Sequence, residues 1–91
     1  MKQYEFILPI SNKKGMMRLA SAYDEMHVMR DERTQKDPEN AKKILIEMTT
    51  VDYEDGSLTL DKIDALEADD YKYLCDFYKK INTRTYKSMD D

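Results

Sequence analysis

The segment from Asp37 to Val51 constrains the fold of this chain more than any other. Asp37 is a strong helix N-cap residue, and Pro38 follows at the first helical position, where a missing N–H removes no hydrogen bond. Apolar residues then fall at Ala41, Ile44, Leu45, Met48 and Val51, the spacing of one face of an α-helix. Ile46 lies off this stripe and widens it. The stretch Asp52-Tyr53-Glu54-Asp55-Gly56 supplies the stop, with Asp55-Gly56 as a turn signal. A helix with one apolar face has to bury it, so the rest of the chain must provide matching surfaces.

Two further segments have helical patterning. Ser21-Ala22-Tyr23-Asp24 has the form of a capping box with Asp in place of Glu. The helix it opens carries Ala22, Met26, Met29 and Arg33 on one face and is expected to fade in Thr34-Gln35-Lys36. Later, Glu67-Ala68-Asp69-Asp70 gathers acids where a helix dipole favours them. Tyr71, Leu74, Cys75, Tyr78 and Ile81 follow as a stripe, with Phe77 beside it and Lys79 and Lys80 near the C-terminal end. Between these, Leu58-Thr59-Leu60-Asp61 starts a short helix capped near Thr59 or Leu60, with Ile63 and Leu66 turned inward.

The N-terminal run Tyr4-Glu5-Phe6-Ile7-Leu8-Pro9-Ile10 is dense in aromatic and β-branched residues and reads as a strand. Pro9 confines it to an edge or marks its end. Gly15 is expected to supply a positive φ, and Met16-Met17-Arg18-Leu19-Ala20 to return as the second strand. The expected fold is mainly α (α+β), a short N-terminal β-hairpin followed by a three- to four-helix bundle. One domain covers 1–82, with the β element at about 4–20 and the helical part at about 21–82. The tail, 83–91, lacks apolar periodicity and is expected to fray. Ile44, Leu45, Met48, Leu66, Leu74, Tyr78 and Ile81 are the expected core.

With 91 residues the chain has room for one domain, and 37% of them are charged, for a net charge of −4. No run approaches the ~18 apolar residues of a membrane span. The start Met1-Lys2-Gln3-Tyr4-Glu5 has no apolar h-region behind it, which predicts no signal peptide and a cytoplasmic location. One cysteine excludes an internal disulfide and a Cys-rich zinc site.

The chemical candidates are few. Cys75 is the one thiol and His27 the one imidazole; Cys75 lies within an apolar stripe and His27 beside Met26, and no orienting acid completes a triad. Were Gly56 the sixth position of an EF-hand loop, Val51, Tyr53 and Lys62 would stand at ligand positions one, three and twelve, and none offers a carboxylate. Two separated glycines exclude a phosphate-binding loop. No cofactor or metal is expected, and no catalytic residue. Lys79, Lys80, Arg84 and Lys87, or Lys13, Lys14 and Arg18, would form basic groups, yet the acidic balance of the chain argues against nucleic-acid binding.

Methionine and tyrosine, seven of each, suit contact surfaces: the thioether adapts to varied apolar partners, and the phenol buries its ring while its hydroxyl stays wet. Met16, Met17, Met26 and Met29 gather in one N-terminal segment.

Three stretches carry a family resemblance. Arg18-Leu19-Ala20-Ser21-Ala22-Tyr23-Asp24-Glu25 is followed by Arg30-Asp31-Glu32-Arg33; then come Leu66-Glu67-Ala68-Asp69-Asp70-Tyr71 with Leu74, and Phe77-Tyr78-Lys79-Lys80-Ile81-Asn82. This pattern, across 18–82, resembles small proteins of contractile phage tails and of related phage-tail-like injection systems. The second half also resembles phage tail assembly chaperones. The resemblance implies a small, acidic, mostly helical, non-enzymatic protein. Its partner would be an aggregation-prone tail component, the tape-measure protein or a tube protein, bound during assembly. Met26, Met29, Tyr71, Phe77 and Tyr78 are then expected to line the partner-facing surface. A rival expectation is a structural adaptor of the finished particle, in which the strand Phe6 to Ile10, with Phe6 and Leu8, adds to a neighbour's sheet. A nucleic-acid-binding regulator is the third. A single domain with spare apolar surface also suits a homo-oligomer.

Overall fold

The computed structural model describes residues 2–90, and the side chains of residues 2–83. Strand β1 (Gln3–Ile7) turns back into β2 (Lys14–Arg18), then come α1 (Ala22–Arg30), α2 (Glu32–Lys36), α3 (Asn40–Thr49), β3 (Thr50–Tyr53), α4 (Leu60–Asp64) and α5 (Ala68–Asp90). The class is α+β, as the patterning predicts, with an N-terminal hairpin leading into helices. Among the described residues the helices number five, against three to four expected, because the first expected helix is divided at Asp31 into α1 and α2, while α4 is the short helix expected near Thr59. Of the tail expected to fray, 83–91, the residues after Thr83 lie outside those whose side chains are described.

The hairpin closes through a six-residue connection in which Leu8 N–H donates to Lys13 O and Asn12 N–H to Leu8 O, each at 2.9 Å. Its left-handed residue is Asn12, at φ 62°, and not Gly15. Gly15 serves space instead. It pairs with Phe6 on one side and Tyr53 on the other. A Cβ there would stand 2.4 Å from Phe6 Cζ and 2.8 Å from Asp52 O. The two rings stack across the bare glycine with centroids 6.5 Å apart.

The sheet order is β1-β2-β3, antiparallel throughout, so β1 is an edge strand and Pro9 lies just past its end. The third strand is a correction to the sequence reading, which carries Val51 on a helical stripe. The β-branched run Thr49-Thr50-Val51 turns α3 directly into β3 instead. Val51 is the extra residue of a bulge, since Met16 pairs with Asp52 and Met17 with Thr50.

Alternation along β1 sends Tyr4, Phe6 and Leu8 inward. Phe6, Leu8, Met17, Ile46, Tyr53, Leu58, Ile63, Leu74 and Ile81 form one core cluster between sheet and helices. Ile44, Leu74 and Ile81 are buried as expected, whereas Leu45, Met48, Leu66 and Tyr78 are only half-buried. Ile46, off the expected stripe, is fully buried because α3 packs against α1, α2, α4 and α5 and so has more than one covered side.

Helix α1 does not run on to Lys36. Asp31, in extended conformation at φ −66° and ψ 134°, caps the end of α1, and its carboxylate accepts Arg33 N–H at 2.8 Å to open α2. The turn at Pro38 enters α3 two residues late: Asn40 N–H donates to Asp37 O, and the helix begins at Asn40.

Two side chains of α5 tie distant parts together. Asp70, fully buried, accepts Ile10 N–H at 2.7 Å and Ser11 N–H at 3.2 Å, so the first turn of α5 holds the hairpin tip. Asn82 Oδ1 accepts Ala20 N–H at 2.9 Å while its Nδ2 donates to Tyr78 O, holding the corner between β2 and α1.

Candidate functional site

The orientation of α1 is decided at its first turn. Ser21 and Asp24 form the reciprocal capping box that the sequence predicts: Ser21 Oγ accepts Asp24 N–H, and Asp24 Oδ2 accepts Ser21 N–H at 2.8 Å. Arg18 then reaches from β2 to Asp24 with two bonds, at 2.6 and 3.0 Å, and also donates to Leu19 O and Met48 O. The Arg18 guanidinium holds the Asp24 carboxyl at about 2, and the same contact raises the pKa of Arg18.

With Asp24 pinned inward, Val28, one turn on, is buried too. The opposite side of the helix faces water. Tyr23 is 70% exposed, Met26 55% and Met29 68%. Successive residues of an α-helix are about 100° apart, which puts Ala22, Tyr23, Met26, Met29 and Arg30 within roughly 60° of Met26 on one open face. His27 stacks on Tyr23 with ring centroids 5.9 Å apart. Beside Tyr23 lies an open groove of about 530 Å³ walled by Lys2, Arg18, Leu19 and Met48.

Met26 and Met29 thus stand together on a solvent-facing surface. The other expected partner-facing residues do not join them as one patch. Phe6 and Leu8 are core residues, 1% and 0% exposed, and this corrects the expectation that they meet a partner: the pleat of β1 turns them under the helices. Phe77 is half-buried, edge-on to Phe6 at 5.7 Å and stacked on Tyr73 at 6.0 Å. Tyr71 packs on the core with Lys43 Nζ 5.8 Å above its ring; burial and the neighbouring Cys75 push its hydroxyl up to about 12. Tyr78 is half-buried against the core, and burial together with the Glu25 and Asp24 carboxylates raises its pKa. Tyr23 is missed by sequence reasoning, although it precedes Met26 by three residues, as Met26 precedes Met29, which is a usable signal.

The remaining motif residues are engaged in structure. Arg33 bridges Asp31 and Glu47, with Arg33 Nη2 to Glu47 Oε1 at 2.9 Å, while Glu47 Oε2 accepts Leu60 N–H at 2.7 Å. Those two carboxylates raise the Arg33 pKa, and Arg33 lowers that of Asp31. So Arg18, Ser21, Asp24, Asp31, Arg33, Asp70 and Asn82 of the quoted stretches act as ties between elements.

Among the described residues, no group of three His, Cys, Asp or Glu side chains is placed to hold a metal ion. No described helix is long and apolar enough to cross a membrane. Comparison with protein-family models, with curated proteins and with solved structures gives no match to this chain.

Proposed function

We propose that this protein is a non-enzymatic, assembly-chaperone-like binder that covers an apolar stripe on a tail component, a tape-measure or tube protein, during assembly of a contractile tail or injection system in the host cytoplasm. The observation that carries this reading is the outward face of α1. Tyr23, Met26 and Met29 stand in water on a capped helix whose other side buries Asp24 and Val28. Flexible thioethers flanked by an aromatic ring are suited to an amphipathic helix whose sequence varies along its length. The resemblance across 18–82 supplies the class of partner, and the exposed face supplies the means.

The test is co-expression with a tape-measure segment that aggregates alone. The unmodified chain should keep the segment in the soluble fraction. A Met26→Ser, Met29→Ser double variant should keep its own circular dichroism and melting temperature, because both side chains are exposed, and should lose the solubilising effect. Unchanged solubilisation would remove α1 as the binding face.

A second reading rests on the edge strand. Leu8 N–H bonds to Lys13 O, so alternation turns the backbone groups of Gln3, Glu5 and Ile7 to the open side of β1. A neighbouring strand could add there, as a structural adaptor would require. Mass spectrometry of purified particles separates the two readings, since an adaptor is retained at fixed stoichiometry and a chaperone is not.

A further inference from the structure

We infer that the open face of α1 is self-complementary and that a second copy of this chain covers it, in an antiparallel two-fold pairing centred on Met26. The argument starts from where the side chains lie around the helix. Tyr23 and Arg30 fall on one side of Met26, and Ala22 and Met29 on the other, all exposed. A two-fold axis perpendicular to two facing antiparallel helices keeps each side of the stripe on its own side and reverses the order along the axis. Met26 therefore meets Met26 of the second copy. Arg30 of each copy arrives over Tyr23 of the other, because the two positions lie at nearly equal distances before and after the axis. On the opposite side Ala22, the smallest side chain of the face, leaves room for Met29 of the second copy.

Each of these meetings is chemically matched. A guanidinium over a phenol ring is a cation–π pair, and Arg30 makes no ion pair within the described chain that would hold it back. The Tyr23 ring is already held from its own side by His27, at 5.9 Å and 28° between planes. Met26 against Met26 is a flexible apolar contact on the axis itself, where self-contact is obligatory. Antiparallel helices also oppose their dipoles favourably.

The face is small. A nine-residue helix is about 13 Å long, so it buries less than the ~800 Å² per partner of a standard interface. The two Glu25 carboxylates gather on the Met29 side and oppose each other. The dimer is accordingly weak and concentration-dependent, exchanging with monomer. Client and second copy then compete for one face, a corollary that rests on the function proposed above; the dimer itself does not.

Sedimentation of the unmodified full chain tests the dimer without any client. The expected result is a monomer–dimer equilibrium whose dimer fraction rises with concentration. Met26→Glu should raise the dissociation constant at least tenfold with unchanged circular dichroism. In a Cys75→Ser background, Met26→Cys should cross-link to itself under mild oxidation far more readily than Met29→Cys. Monomer alone at all concentrations, or a dimer in which Met26→Cys does not cross-link, would overturn the proposal. Either result leaves the solubilisation assay to be judged separately.

Discussion

Arg18 and Asp24 meet in a two-bond ion pair, at 2.6 and 3.0 Å, across the corner between β2 and α1. The Asp24 side chain keeps 4% of its surface and the Arg18 side chain 19%. The pair outranks hydrophobic patterning locally: a carboxylate is turned inward and two methionines outward. Replacing Asp24 with Asn keeps the size and removes the charge. The cost should be about 3 kcal/mol, the low end for breaking a buried pair because Arg18 still touches water. Chemical denaturation measures it, and exchange of the α1 amides should rise in parallel.

The same pair makes a pH prediction. The Asp24 pKa, lowered from 3.8 to about 2 chiefly by Arg18, lies below its unfolded value. Its contribution is therefore fully present above pH ~4 and is lost as pH falls toward 2 and below, an amount of roughly 2 kcal/mol. Thermal unfolding between pH 5 and pH 2 should show this loss in the unmodified chain. Asp24→Asn should be less stable at pH 5 and should lack this part of the acid slope.

Gly15→Ala should destabilise the sheet. The added methyl would meet Phe6 Cζ at 2.4 Å and the Asp52 carbonyl oxygen at 2.8 Å. The ring can shift, but the backbone oxygen of β3 cannot shift without disturbing the bulge. A loss of ~1–3 kcal/mol follows from overpacking. Phe6→Leu in the Gly15→Ala background should recover only part of it, since the shorter side chain clears the first clash and leaves the second. A double-mutant cycle in urea reads the coupling.

Asp70→Ala should release the hairpin tip. The fully buried carboxylate accepts Ile10 and Ser11 N–H groups, and its removal leaves both donors without their partner. A loss of about 1–3 kcal/mol is expected. Amide exchange at Ile10 and Ser11 should accelerate well beyond the change in global stability. Asp70→Asn, which keeps one acceptor oxygen, should fall between the two.

These contacts explain which parts of the fold were legible from residue order. Local signals read well: the capping box at Ser21 and Asp24, the Thr59 cap of α4, and the edge position implied by Pro9 all depend on residues within a few positions of one another. The failures were long-range. Val51 fits a helical stripe and a bulged strand equally, and only its sheet neighbours Met16 and Met17 decide. Phe6 and Leu8 could face a partner or a core, and only the helices packed on the sheet decide. For α1, the spacing of Met26 and Met29 was visible, but their direction was not, because it follows from Arg18 meeting Asp24. Ile46 reads as widening the stripe but not as core, since periodicity assumes one covered face and α3 has several.

Thr34 offers a test with the opposite sign. It is 7% exposed on α2, and its Oγ1 is buried without a hydrogen-bond partner among the described residues. A buried hydroxyl without a partner carries a penalty of about 1–3 kcal/mol for an unmade bond. Thr34→Val replaces it with a methyl of nearly the same shape, and both residues have similar helix propensity. The variant should be more stable by ~1 kcal/mol, which for a domain of this size raises the melting temperature by about 4–8 °C. Thr34→Ser keeps the hydroxyl and loses the methyl, so it should be less stable than the unmodified chain. Calorimetry on the three proteins checks the order Val, Thr, Ser; a Val variant that melts lower would mean that the Thr34 hydroxyl has a partner, such as a bound water.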